Sequence, residues 1–221
     1  MGVVVRLITK SISHLLLSDC MEKFKHNLII TGKSNETVRS YFFDLKGFNE
    51  FIEKKYNCPV YANEVLEEDI EEYLYFLKTN KLKSASISRN LYTLRSFYNF
   101  AYKNKFCDWN IAANIEPVKV QRPERTFLKP EEVSELVGAI EHPLIVFVVE
   151  TLYYTGLRIS ECVNLKCEDV DIKNRIIHVI QGKGGKDRNI PINKHLADIL
   201  KNYTENYRPG TYDGYFFATE K

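Results

Sequence analysis

The sequence of 221 residues has almost no excess of either charge. Its 31 lysines and arginines stand against 29 aspartates and glutamates, which gives a formal net charge of +2. Any nucleic-acid surface must therefore come from where the basic residues lie and not from their number.

Cysteine is sparse and unpatterned. The five cysteines are scattered, and no two of them have the Cys-x-x-Cys spacing of a zinc site. An odd number of scattered thiols is typical of a reducing compartment, so we expect a cytoplasmic protein.

Long apolar runs are also missing near the start of the chain. The mildly apolar segment 2–17 is interrupted by Arg6, Lys10 and His14, and it has no small-residue cleavage site. We therefore expect no membrane span and treat residues 1–13 as a tail, with a signal peptide as the weaker alternative.

Four amphipathic helices are predicted in the first half of the chain. The apolar residues from Val38 to Ile52 recur at the helical period, and Ser34 or Asn35 is the expected N-cap. A second clear stripe runs from Ile87 to Ala101 after Ser84. The predicted helices are 17–30, one beginning near 35, 67–77, and one beginning at 84.

A charged segment with two prolines separates the halves. Residues 116–125 alternate in charge and have no apolar period, which is typical of a linker. We predict a first domain over 14–110, a linker over 111–125 and a second domain over 126–221.

The second half mixes helices with a strand hairpin. The run from Leu144 to Tyr154 is nearly all apolar, which predicts a buried helix, and Gly156 ends it. Strands are predicted at 175–180 and 189–192, joined by a glycine-rich turn at 182–186, and a helix at 195–207 follows.

Two cations in this half are suited to a common phosphate. Arg158 opens a short helix, and Lys183 lies in the predicted hairpin turn. Arginine offers a bidentate fork, and lysine a compact charge that can give up a proton. Glu161 lies one helical turn after Arg158 on the same face. Taken singly, Arg158 is better explained as a surface or ion-paired arginine, and Lys183 as part of a solvated hairpin tip.

The hairpin turn is not a nucleotide-binding P-loop, because Ile180 stands where the first glycine is required and Asp187 follows Lys186. The start of the fourth helix is a second candidate for phosphate contact. Free backbone N–H groups and basic side chains act together there, although a solvated helix end is the plain alternative.

Two motifs in sequence resemble the tyrosine recombinase (phage integrase) family. They are T-G-L-R-I-S-E at 155–161 and G-K-G-x-K-x-R at 182–188. The segment K-S-N-E-T-V-R-S-Y-F-F-D-L at 33–45 resembles the opening of the core-binding domain of that family.

The resemblance implies a mostly α fold. An N-terminal four-helix core-binding (SAM-like) domain would precede the N-terminal half of an α+β catalytic domain with a small antiparallel sheet. It also implies duplex DNA as the partner, a tetramer on DNA, and no metal or other cofactor. We expect a monomer off DNA and no membrane contact.

In this family a tyrosine hydroxyl attacks a DNA phosphodiester. The resemblance gives Arg158 the role of charge clamp, Lys183 that of proton donor, and Glu161 a supporting role beside the alternative of an ordinary helix-face carboxylate. Lys186 and Arg188 are expected to steady the hairpin or touch backbone phosphate. The other expected DNA contacts are Arg39, Lys83, Ser84, Ser86, Arg89, Lys119 and Arg122.

Other parts of the family's catalytic set have no match. The sequence contains no His-x-x-Arg, and Tyr203, Tyr207, Tyr212 and Tyr215 are poor candidates for the nucleophile. We therefore interpret the chain as a recombinase truncated before that part of the catalytic domain, and we expect no strand cleavage by it alone. The alternatives are a non-catalytic DNA-binding protein that occupies recombination sites or joins mixed oligomers, and, with less support, a helical module with no nucleic-acid role.

Overall fold

The computed structural model describes residues 14–120, 126–180, 187–210 and 214–219. The predicted tail at 1–13 lies outside the described residues, as do Arg122, Lys183, Lys186 and Tyr212. The chain divides into two compact units, Met1–Glu124 and Arg125–Lys221.

The first unit is built from four helices: α1 Leu17–Ile30, α2 Asn35–Tyr56, α3 Glu67–Thr79 and α4 Ser84–Lys103. Ser34 starts α2, because its hydroxyl accepts a hydrogen bond from the Thr37 amide at 3.2 Å. The apolar stripes of the helices meet in one core, where Phe24 packs edge-on against Phe97. The predicted four-helix domain is confirmed.

A buried carboxylate ties α2 to α4. The side chain of Asp44 is 2% exposed, and it accepts hydrogen bonds from Arg89 Nη2 at 2.6 Å and Nε at 3.1 Å. Thr93 Oγ1 donates to the same carboxylate at 3.0 Å. Burying a charge is costly unless it is paired, so Arg89 has a structural partner that the sequence pattern did not reveal.

The first residues of the predicted linker pack against the helices of the first unit. Ile111, Ala112 and Ile115 are buried in the core of the first unit, and the guanidinium of Arg95 donates to the carbonyls of Ala112 and Ile115. Ser88 Oγ donates to the Val118 carbonyl at 2.9 Å. Residues 111–118 therefore pack with the helical unit, because their apolar side chains are buried in its core and their carbonyls are bonded to side chains of α4.

The second unit joins helices to a small sheet. Its helices are α5 Pro130–Gly138, α6 Pro143–Thr155, α7 Ile159–Val163 and α8 Lys194–Asn202, and a single π-helical turn, Tyr203–Tyr207, follows α8. The strands β1 Val170–Asp171, β2 Ile176–Val179 and β3 Arg188–Pro191 form an antiparallel sheet in the order β1-β2-β3. The predicted mostly α fold with a small antiparallel sheet is confirmed.

The core of this unit lies between α6, the sheet and α8. Ile177 of β2 and Leu196 and Leu200 of α8 are fully buried in it. Tyr203 is buried against Phe147, and its hydroxyl accepts a hydrogen bond from the Ala218 amide at 3.0 Å.

Helix α6 differs from its prediction. Its sequence is apolar around most of its circumference, yet only Phe147 and Thr151 are buried. Ile145 is 49% exposed and Tyr153 46% exposed. The prediction of a buried helix was wrong for this side of α6, because the described core covers only the opposite side.

Candidate functional site

The turn between α6 and α7 sets the position of Arg158. Gly156 ends α6 with φ +64°, and its N–H donates to the Leu152 carbonyl at 2.9 Å. Leu157 is then buried, which leaves Arg158 as the N-cap residue of α7. Cys162 of α7 is buried in the core and fixes the position of this helix. Arg158, at the start of α7, has its side chain exposed to solvent.

Glu161 brings two arginines together. Its carboxylate accepts from the Arg158 backbone N–H at 2.9 Å and from Arg158 Nη1 at 2.7 Å. It also accepts from Arg188 Nη1 at 3.0 Å and Nη2 at 2.8 Å. Arg188 reaches it because the register of β2 and β3 sets Arg188 opposite Val179, at the hairpin end of the sheet.

Hydrogen bonds from the two arginines set the charge of Glu161. The Glu161 side chain is 8% exposed, whereas that of Arg158 is 54% exposed. The hydrogen bonds from the Arg188 guanidinium, followed by that from the Arg158 backbone, lower the pKa of Glu161 to about 2. The carboxylate therefore stays charged at any pH near neutrality, and two guanidinium groups and one carboxylate leave a net positive charge facing solvent.

Arg158 keeps donors for an anion. A guanidinium has five N–H groups in a planar fork, and among the described residues that of Arg158 donates a single hydrogen bond, to Glu161. Arg188 gives one hydrogen bond from each terminal nitrogen to the same carboxylate. The arrangement is therefore suited to holding a phosphate at Arg158, with Arg188 fixing the carboxylate that orients it.

The residues predicted to contact DNA in the first unit differ in their exposure and in their bonding partners. Lys83 is the exposed N-cap residue of α4, and Ser84 and Ser86 are half-buried in its first turn. Arg89 is held by Asp44, as described above. Arg39 on α2 and Lys119 after α4 are exposed.

Sequence reasoning missed the partners of these residues. The pairs Asp44–Arg89 and Glu161–Arg188 are 45 and 27 residues apart, and neither follows a helical or strand period. The described residues include no group of three or more His, Cys, Asp or Glu side chains placed to hold a metal ion. No helix in the described ranges is long and apolar enough to span a membrane.

The fold and the arginine site together define a helical domain followed by an integrase-like unit. The solved structures that share this fold include two integrases bound to DNA. One is a lambda integrase dimer bound to a COC′ core site, with a TM-score of 0.76 and 17% identity, matched over 94% of this chain and 58% of that one. The other is the Tn1549 transposon integrase in complex with a circular intermediate DNA, with a TM-score of 0.70 and 17% identity, matched over 94% and 72%.

Sequence comparisons define the family. Residues 126–221 match the family model "Phage integrase family", and residues 21–105 match "Phage integrase, N-terminal SAM-like domain". The chain is 32% identical over 195 residues to the tyrosine recombinase XerC of Staphylococcus epidermidis, covering 85% of this chain and 64% of that protein. It is 33% identical over 173 residues to a tyrosine recombinase of Pseudothermotoga lettingae, covering 77% and 59%. The chain belongs to the tyrosine recombinase family, and it spans about three fifths of the length of these relatives.

Proposed function

We propose that this chain is a DNA-binding member of the site-specific recombinase and integrase class, and that Arg158 clamps a backbone phosphate. The single observation that carries the proposal is the site itself. In the fold of this family, a buried carboxylate holds the Arg158 guanidinium at a helix start with donors left for an anion.

The clamp would act by stabilising charge. Attack on a phosphodiester produces a phosphorane whose non-bridging oxygens gain negative charge, and fixed donors aimed at these oxygens lower the barrier. Glu161 and Arg188 hold the Arg158 fork in place. Lys183 remains our candidate for the proton donor to the leaving 5′ oxygen.

Binding without cleavage is the form of this function that the described tyrosines favour. Tyr203 is buried and its hydroxyl is bonded to the Ala218 amide, and the ring of Tyr207 packs on Phe147 at 5.1 Å. The ring of Tyr215 covers the Lys166 ammonium at 3.0 Å. Each of these tyrosines has a packing role, so we propose that the chain binds and clamps DNA and forms no phosphotyrosyl bond by itself.

The test combines a binding assay with a trapping assay. Wild-type protein is titrated onto a labelled duplex over a range of salt concentrations, and Arg158→Ala is expected to reduce the magnitude of the slope of log K against log salt by about 1. Arg158→Lys is the matched control, because it keeps the charge and loses the fork; it is expected to keep the slope. Salt-insensitive binding, or none, would overturn the proposal.

The trapping assay uses duplexes that carry a nick, which prevents religation. No covalent protein–DNA product is expected on a denaturing gel. A covalent product that disappears in one Tyr→Phe variant would show that the chain cleaves DNA and would refute the restriction to binding.

A further inference from the structure

A groove lies beside α8 at the end of the sheet away from Arg188. One wall is the turn between β1 and β2, and the other is the first two turns of α8. Its volume is about 560 Å³, with Ile172 and Ala197 as the apolar lining. We call it the α8 groove, and its charged lining residues are Lys173, Arg175, Lys194, Asp198 and Lys201.

The charges of the α8 groove are one-sided. Four cations line it against a single carboxylate, Asp198. Lys201 lies 3.8 Å from Glu205, but within the described ranges Lys173, Arg175 and Lys194 make no ion pair. A cleft lined mainly by one sign of charge concentrates its field, and it attracts ions of the opposite sign.

Another carboxylate beside the groove, that of Asp171, is held by its own turn. Asp171, in the turn that forms the wall, accepts from the Asn174 backbone N–H at 2.8 Å and from its Nδ2 at 2.7 Å. These bonds lower the pKa of Asp171 and direct its oxygens into the turn. Even with Asp171, Asp198 and Glu205 counted, four cations face three carboxylates, so the groove keeps a net positive charge.

The α8 groove is separate from the arginine site. The β1–β2 turn precedes Ile176, which pairs with Pro191, whereas Arg188 pairs with Val179 at the other end of β2. Three strand steps of about 3.3 Å separate these ends by roughly 10 Å along the sheet. A phosphate held at Arg158 would leave the α8 groove free for another.

We propose that the α8 groove binds the phosphate backbone of duplex DNA at a second position, beyond the phosphate at Arg158. This inference rests on the proposed DNA binding. From Lys194 to Lys201 the wall rises about 10 Å, and duplex DNA advances by roughly three base pairs along its axis in that distance. Cations on both walls offer charge contacts to backbone phosphates, and contacts to phosphate carry no sequence information.

Duplex DNA fits the lining of the α8 groove better than an acidic protein does. Cations stand on both walls, Lys173 and Arg175 on one and Lys194 and Lys201 on the other, so a strand of single negative charges in the groove would meet cations on both sides. The lining residues other than Asp198 carry no acceptor side chain that would pair with the amide groups of a peptide.

The experiment measures the salt dependence of DNA binding by full-length protein variants. Lys173→Gln and Lys194→Gln each remove one cation. Arg175→Gly removes the third at a residue with φ +58°, where glycine is favoured. Because this last substitution suits the backbone, loss of folding cannot explain its effect. Lys78→Gln, at an exposed position of α3, is the matched control.

We expect each groove variant to lower the magnitude of the slope of log K against log salt by about 0.9. Between 50 and 200 mM salt, the factor by which its affinity for DNA falls should then be about three times smaller than that of wild type. The triple variant is expected to sum these effects, and Lys78→Gln is expected to show none. Thermal melting verifies that each variant is folded.

The outcomes separate the two proposals. Salt-sensitive binding that responds to Arg158→Ala but is unchanged in all three groove variants would overturn this inference and leave the proposed function standing. Absence of DNA binding by the wild type would overturn both. Competition by polyglutamate that the groove variants abolish, with an unchanged DNA slope, would assign the groove to an acidic protein instead.

Discussion

The most direct test of the arginine site is Glu161→Gln. The substitution keeps the shape of the side chain and removes its charge. One amide oxygen still accepts the Arg158 backbone N–H, as glutamine does in capping boxes. The hydrogen bonds to the guanidinium groups of Arg158 and Arg188 lose their charged acceptor.

The magnitude follows from those bonds. A hydrogen bond to a charged group contributes about 1.5–3 kcal/mol, and the three side-chain bonds share one carboxylate, so they do not add. Because both guanidinium groups face solvent, we expect Glu161→Gln to lower the free energy of unfolding by about 2 kcal/mol. Glu161→Ala also removes the cap, at a further cost of about 1 kcal/mol.

The pKa of Glu161 determines how the stability difference between wild type and Glu161→Gln changes with pH. The pKa of Glu161 is about 2 in the folded protein and about 4.3 in an unfolded chain. The charged form therefore stabilises the fold fully above about pH 4.3, and this stabilisation is lost as the pH falls toward 2. The difference between wild type and Glu161→Gln should be full at neutral pH and should shrink below about pH 4.

The assay is urea unfolding of the three proteins at each pH where the wild type is folded. Amide hydrogen exchange at Arg158 adds a local readout. Exchange should become roughly ten- to a hundredfold faster in Glu161→Ala and change little in Glu161→Gln. A wild-type-to-glutamine difference that is constant with pH would refute the reasoning, because the loss would then come from packing and not from charge.

Three further substitutions test other parts of the fold. Arg89→Met should lower the free energy of unfolding by about 3 kcal/mol in urea titrations, because it leaves the buried charge of Asp44 unpaired; restoration by a second change, Asp44→Asn, is the control, and its failure would contradict the ion-pair account. Gly156→Ala should cost about 1 kcal/mol, measured as a lower Tm, since φ +64° is unfavourable for alanine; an unchanged Tm would argue against that turn. Tyr203→Phe should cost about 1 kcal/mol by losing the bond to the Ala218 amide, and a neutral result in the same urea assay would show that this hydroxyl is dispensable.

The helices of the first unit could be predicted from the sequence because local rules decide them. The stripe from Ile87 to Ala101 follows a single period, and Ser34 caps α2 by contact with a residue three positions away. Such signals lie within one element, so they survive whatever the rest of the chain does.

The partners within the site could not be predicted in the same way. Arg188 reaches Glu161 because of the register of β2 and β3, and Arg89 reaches Asp44 because two helices pack. Both contacts depend on tertiary arrangement. The error at α6 has the same origin, since an apolar sequence predicts a tendency to be buried but does not supply the surface that buries Ile145 and Tyr153.

The double role of Glu161 has a consequence for the order in which the site forms and opens. Its contact with Arg158 spans three residues and closes with α7 itself, whereas its contact with Arg188 requires the ends of a much longer loop to meet. The shorter contact therefore forms at the lower entropic cost. Local opening at the hairpin end of β3 would therefore release Arg188 first and leave Arg158 bonded to Glu161 within α7.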